Sequence, residues 1–110
     1  MIYDLEKIDF SRLDKLKKTI YMSIYDTQTE DMDVEEHMLC MKRKVELYVN
    51  HILSKGMAEY FSISEAKEKK YKYVINIVRD FEVGQGYIDH VNNIDAQVNE
   101  YTGGRVRVTT

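Results

Sequence analysis

Apolar side chains between Asp33 and Gly56 recur at steps of four and three, at Val34, Met38, Met41, Val45, Tyr48 and Ile52. Tyr87, Val91, Ile94, Val98 and Tyr101 repeat that rhythm. A 4-3 alternation holds side chains on one stripe of an α-helix, so both segments are expected to be helices packed lengthwise on something. Asp33 with Glu36 makes a capping box before the first stripe, and Gly56 supplies the left-handed residue that ends many helices. The resulting helix is about 22 residues, or roughly 33 Å. Leu39, Leu47, Val49 and Leu53 lie off its stripe and broaden it, which points to a central helix of a bundle.

Two further helices complete the expected set. From Asp9 or Ser11 to about Tyr25, the residues Leu13, Leu16, Ile20, Tyr21 and Ile24 fit an apolar face, with Ser11 and Asp14 as a capping box. Ser62 and Glu65 make another box ahead of Ile63, Ala66, Tyr73, Val74, Ile77, Val78 and Phe81. Tyr71, Tyr73, Ile75 and Ile77 also alternate, and Tyr71 to Val78 is rich in β-branched and aromatic residues that favour strands. The fold expected is an all-α, antiparallel bundle of about four helices. Its alternative is an α+β fold with a short hairpin from 71–78 and 105–108. One helical domain covers 1–104, and 105–110 is expected to fray.

No proline occurs, and the glycines stand only at 56, 84, 86, 103 and 104, which leaves long unbroken segments. At 110 residues the chain buries roughly 65% of its unfolded surface, enough for one core without staples. Cys40 has no intramolecular disulfide partner, and no signal-like stretch stands near the N-terminus, so the expected location is cytoplasmic. Lys or Glu interrupts every apolar run before it could span a bilayer, so no membrane is expected among the partners. Abundant lysine, isoleucine, tyrosine and asparagine with little alanine read as an AT-rich genome, such as that of a phage or mobile element. Sixteen basic residues against nineteen acidic ones give a net charge of -3, so any basic site must be local.

Candidate chemistry is sparse. His37 and Cys40 are spaced to reach one zinc or copper ion from a helix face, yet no second pair completes four ligands. The acids Asp26, Glu30, Asp31, Asp33, Glu35 and Glu36 fail the calcium-loop pattern, since positions six and twelve from Asp26 are Asp31 and His37. They read as a solvated loop leading into a helix N-terminus. Gly84-Gln-Gly86 lacks the rest of a phosphate loop. Lys42, Arg43 and Lys44, and Lys69, Lys70 and Lys72 within the Lys67–Lys72 run, are local basic patches for nucleic acid, with Tyr71 or Tyr73 available to stack on bases.

With no catalytic residue, metal or cofactor assigned, the expected function is a small non-enzymatic module that binds another protein, as a regulator, inhibitor, immunity-type protein or adaptor. Its narrow stripe Tyr87, Val91, Ile94, Val98 and Tyr101 is the expected partner or oligomer interface, most simply in a homodimer. A nucleic-acid-binding regulator is the second reading, and a metal-dependent factor using His37 and Cys40 the third.

Overall fold

Thr19–Asp26 is a strand because its inward side chains alternate: Ile20, Met22, Ile24 and Asp26 are buried, while Tyr25 on the other face is exposed. The computed structural model describes residues 10–26, 33–79 and 81–110. Their order is β1 (Phe10–Asp14), β2 (Thr19–Asp26), α1 (Val34–Ser54), α2 (Glu65–Glu68), β3 (Lys72–Arg79), α3 (Gln85–Thr102) and β4 (Val106–Thr109).

The four strands form one mixed sheet in the order β1-β2-β3-β4. β1 and β2 are an antiparallel hairpin in which Asp14 stands opposite Thr19. β2, β3 and β4 run parallel, with Ile20 beside Tyr73 and Tyr73 beside Val106. Parallel neighbours need a crossover, and α1 with α2 supplies the first and α3 the second. Both long helices lie on one face. Ile20, Met22, Ile24, Tyr73, Ile75, Ile77, Val106 and Val108 meet Met41, Val45, Tyr48 and Ile52 of α1, and Tyr87, Val91, Ile94 and Val98 of α3, in a single core. The opposite sheet face has no helix among the described residues and is half-buried at Tyr21, Ser23, Val74 and Asn76.

The all-α bundle is therefore overturned: the described residues form an α+β fold with a four-stranded mixed sheet and three helices. The helix expected up to Tyr25 is the β1–β2 hairpin. Leu13, Ile20 and Ile24 satisfy both periods, and the alternation through Met22 decides in favour of the strand. The segment 71–78 is strand β3, and the residues expected to fray are mostly β4. These two pair in parallel through α3, so they form no hairpin. The capping signal before them is real but short-lived. Ser64, rather than Ser62, accepts from the Lys67 N–H at 3.2 Å, and the helix it starts ends at Glu68.

The long helices are placed much as the apolar rhythm requires. Asp33 holds the position before α1 without a side-chain capping bond, and Gly84 precedes α3. Gly56 follows α1 with φ +67°, and Gly103 closes α3 with φ +64°. α1 is covered on one side only: Leu39 and Leu53 are 46% and 44% exposed, and Val34 at its start is 68% exposed. Of the residues that broaden its stripe, Leu39 and Leu53 lie on an open flank, while Val49 is buried and Leu47 is half-buried against the core, so α1 is not a bundle centre. The expected acidic loop falls largely on 27–32, outside the described residues.

Candidate functional site

Three places on this framework gather functional side chains. The first is a groove of about 390 Å³ between α1 and α3. Its floor is made of Val45, Val49, Ile94 and Val98, all buried, and its walls carry Lys42, Glu46, Asn50, Gln97 and Tyr101. Tyr101 is 72% exposed at the end of α3. The lining thus combines an apolar floor with one cation, one anion and two amides, the composition of a site that receives an amphipathic segment.

The second place lies at the carboxyl ends of the parallel strands, where open α/β sheets commonly hold ligands. Asp26 ends β2 there and is 1% exposed. Nε2 of His37, in the first turn of α1, lies 2.7 and 2.9 Å from its two carboxylate oxygens. From the first turn of α3, the Tyr87 hydroxyl donates to Oδ2 at 2.6 Å. Phe81 packs edge-on to Tyr87 at 6.1 Å between ring centres, and the Arg79 guanidinium lies 5.8 Å from the centre of the Tyr87 ring. A buried carboxylate facing two helix N-termini is favoured by both dipoles. With both oxygens engaged, Asp26 acts as a tie between the sheet and the two helices rather than as an open base.

The third is at the opposite end of the sheet. Glu68, 5% exposed, accepts at Oε1 from the Tyr73 hydroxyl at 2.5 Å and from Arg105 at 2.7 Å. Tyr73 in turn accepts from the Met57 N–H at 3.1 Å. Burial first, and then the hydrogen bond and charge of Glu68, push the Tyr73 phenol well above its ordinary value of 10, so it stays a neutral donor. This carboxylate too is spent on structure.

Against these places, the residues singled out in the sequence separate. Tyr87, Val91, Ile94 and Val98 are packed in the core of the chain itself, and of that stripe only Tyr101 is exposed. Ile94 and Val98 nevertheless reach the groove floor. Lys42, Arg43 and Lys44 do not share a surface. Lys42 is on the groove wall, Arg43 is exposed, and Lys44 is fully buried with its ammonium 5.5 Å from the centre of the Tyr48 ring. Lys69, Lys70 and Lys72 are exposed, whereas Tyr73 is buried and Tyr71 half-buried. His37 turns to Asp26 while Cys40 packs half-buried against the core. Among the described residues, no group of three or more His, Cys, Asp or Glu side chains could hold a metal ion.

The sequence profile of a family of unknown function, DUF6572, matches residues 1–107. The chain belongs to DUF6572. No curated protein and no solved structure matches it significantly. What this DUF6572 chain does must accordingly be argued from its own geometry. No helix among its described residues is long and apolar enough to cross a membrane. Asp26 reads in the sequence only as an acid of a solvated loop, and neither Glu68 nor Arg105 stands out there. The first was legible as the fourth member of the inward series Ile20, Met22, Ile24, Asp26, once that series is read as a strand.

Proposed function

We propose that this protein acts by binding another protein in the groove between α1 and α3, as a non-enzymatic regulator, inhibitor, immunity-type protein or adaptor. The observation that carries this reading is the groove itself: an apolar floor of Val45, Val49, Ile94 and Val98 under polar walls, with Tyr101 standing free at one end. An exposed tyrosine beside an apolar trough is the kind of anchor from which interfaces draw much of their energy. Among the described residues, both buried carboxylates, Asp26 and Glu68, are committed to internal bonds, which supports binding over catalysis. The half-buried thiol of Cys40 suits a reducing, cytoplasmic setting.

A second copy of the chain is the first occupant to test, since Tyr101 of one protomer can enter the groove of its mate in a two-fold arrangement. Light scattering at high micromolar concentration is expected to give twice the 13.0 kDa chain mass, and Asn50→Trp, which fills the groove wall, is expected to return it to the monomer. Affinity capture from the native host, with Asn50→Trp and Tyr101→Ala as controls, tests for a different protein. A monomer at every concentration, together with captured proteins that neither variant loses, overturns the reading.

A further inference from the structure

The net charge of -3 conceals a strong separation of charge along the molecule. At the end where β2 and β3 begin, the turn Lys15-Leu16-Lys17-Lys18 meets the segment that leads from α2 into β3. The Lys72 N–H donates to the Lys18 carbonyl at 3.0 Å, and Thr19 and Lys72 stand side by side in the sheet. Two stretches far apart in the chain thereby place Lys15, Lys17, Lys18, Lys67, Lys69, Lys70 and Lys72 together, all of them exposed. With Lys55 and Arg105 they stand against Asp14, Glu59, Glu65, Glu68 and Glu100, a local charge of +4. At the other end, Asp33, Glu35, Glu36, Glu82 and Asp89 are exposed around the starts of α1 and α3.

Leu16 stands at the tip of this basic end and is 98% exposed, the most exposed large apolar side chain described. The turn is held firmly behind it. The Lys17 N–H donates to Oδ1 of Asp14 at 3.0 Å, and the Thr19 hydroxyl donates to the Lys17 carbonyl at 3.1 Å. A leucine carried by a fixed turn within a group of lysines is the combination by which peripheral proteins grip an anionic bilayer: the lysines draw the surface in, and the apolar tip enters the headgroup boundary. Either signal alone binds weakly, and together they add.

We infer that this basic end of the sheet docks on an anionic membrane surface, with Leu16 inserted and the lysines of both segments over the phosphates. The expectation of no membrane rested on span length and total charge, and neither bears on a peripheral contact. The same lysines would attract nucleic acid, but the details favour the bilayer. No arginine stands on the turn or the Lys67–Lys72 segment to fork onto phosphates or bases, and Tyr73 is buried with its hydroxyl on Glu68, so it cannot stack on a base. The acidic end points away from the surface in this orientation. The lysine surface shares no residue with the groove between α1 and α3, so it is independent of the proposed function.

Co-sedimentation with vesicles tests it. The protein is expected to bind vesicles of equal parts phosphatidylcholine and phosphatidylglycerol at low salt, to ignore pure phosphatidylcholine, and to be released as salt rises above about 0.15 M. Lys15→Glu with Lys18→Glu is expected to weaken binding more than about tenfold, and Leu16→Ser about tenfold. Leu16 touches nothing that holds the fold, so an unchanged melting temperature separates lost binding from lost structure. Failure to bind the anionic vesicles, equal binding to neutral ones, or binding that Leu16→Ser leaves intact overturns the inference. A mobility shift of labelled DNA or RNA by a protein that ignores the vesicles assigns the lysines to nucleic acid and overturns it as well.

Discussion

The Val108 N–H donates to Oδ1 of Asp95 across 2.8 Å, joining the outer edge of β4 to the helix that leads into it. In β4 the odd residues face β3, as the bond from the Tyr73 N–H to the Arg105 carbonyl shows, so Val106 and Val108 direct their N–H groups outward. Both are covered. Thr102 accepts the Val106 N–H at 3.1 Å, and Asp95 also takes Arg107 in a two-pronged contact at 2.9 and 2.6 Å. An uncovered edge strand invites pairing with another chain, and α3 closes this one.

Removing that cover has two consequences. Asp95→Ala is expected to destabilise the fold by about 1–3 kcal/mol, because a backbone donor and a guanidinium lose one acceptor. It also opens the edge, so the variant is expected to form larger species than the wild type at the same concentration. Urea unfolding measures the first effect and sedimentation velocity the second.

Asp95 also sets an acid limit. Its carboxyl is held below its ordinary value of 3.8, first by the hydrogen bond from Arg107, which outweighs the opposing effect of burial, and further by the Val108 N–H and the guanidinium charge. A depressed folded value means that the ionised form stabilises the fold at any pH above about 4, and that this contribution is lost as pH falls through the lowered folded value. The stability gap between the wild type and Asp95→Asn is therefore expected to be constant from pH 7 to about 5 and to close below about 4. A gap that persists at pH 2 would show that hydrogen bonding alone, and not the charge, distinguishes them.

At the other end of α3, the Asp26 cluster predicts coupling between residues far apart in the chain. Asp26→Ala withdraws a buried acceptor from His37 and Tyr87 together and is expected to cost about 3–5 kcal/mol. Tyr87→Phe removes one donor and is expected to cost about 1 kcal/mol. In the double variant the two losses should fall short of their sum by about 0.5 kcal/mol or more, since both break the same bond. Strict additivity in urea midpoints would refute the shared contact.

How much of this was legible depended on which residues carried two meanings. The long helices were readable because their stripes lie between unambiguous punctuation at Gly56, Gly84 and Gly103, and nothing in Val34 to Ser54 fits an alternation. The β1–β2 hairpin was hidden because its turn, Lys15 to Lys18, holds no glycine, asparagine or proline, and Lys18 takes φ +48° instead. With no visible turn, Leu13, Leu16, Ile20 and Ile24 read as one helix, although Leu16 is almost wholly exposed. β3 was obscured by the capping signal ahead of it, which belongs to a helix of four residues. The buried ties followed the same fault: Asp26 was placed in a loop, where an acid is unremarkable, rather than on the inward face of a strand, where it must find partners.

Gly56 and Gly103 share nearly the same left-handed φ, +67° and +64°, which sets off the effect of surroundings. A Cβ at Gly103 meets nothing within 4 Å, whereas one at Gly56 lies 2.6 Å from Oε1 of Glu68. Gly103→Ala is expected to cost only the left-handed penalty of about 1–2 kcal/mol. Gly56→Ala adds the displacement of Glu68 from Tyr73 and Arg105, and is expected to cost about 2 kcal/mol more than its counterpart. Equal losses for the two in thermal unfolding would show that Glu68 can move aside without breaking its bonds.

Lys18 offers the converse case. A lysine held at φ +48° carries a penalty of about 1–2 kcal/mol that glycine avoids, while glycine adds about 0.5–1 kcal/mol of freedom to the unfolded chain. Lys18→Gly is thus expected to stabilise the fold by about 0.5 kcal/mol, provided that the Lys18 carbonyl keeps its bond from the Lys72 N–H, which involves no side-chain atom. The same change removes a lysine from the basic end, so vesicle binding should weaken as stability rises. Opposite movement of the two quantities is the diagnostic result, because a substitution that merely loosened the turn would lower both.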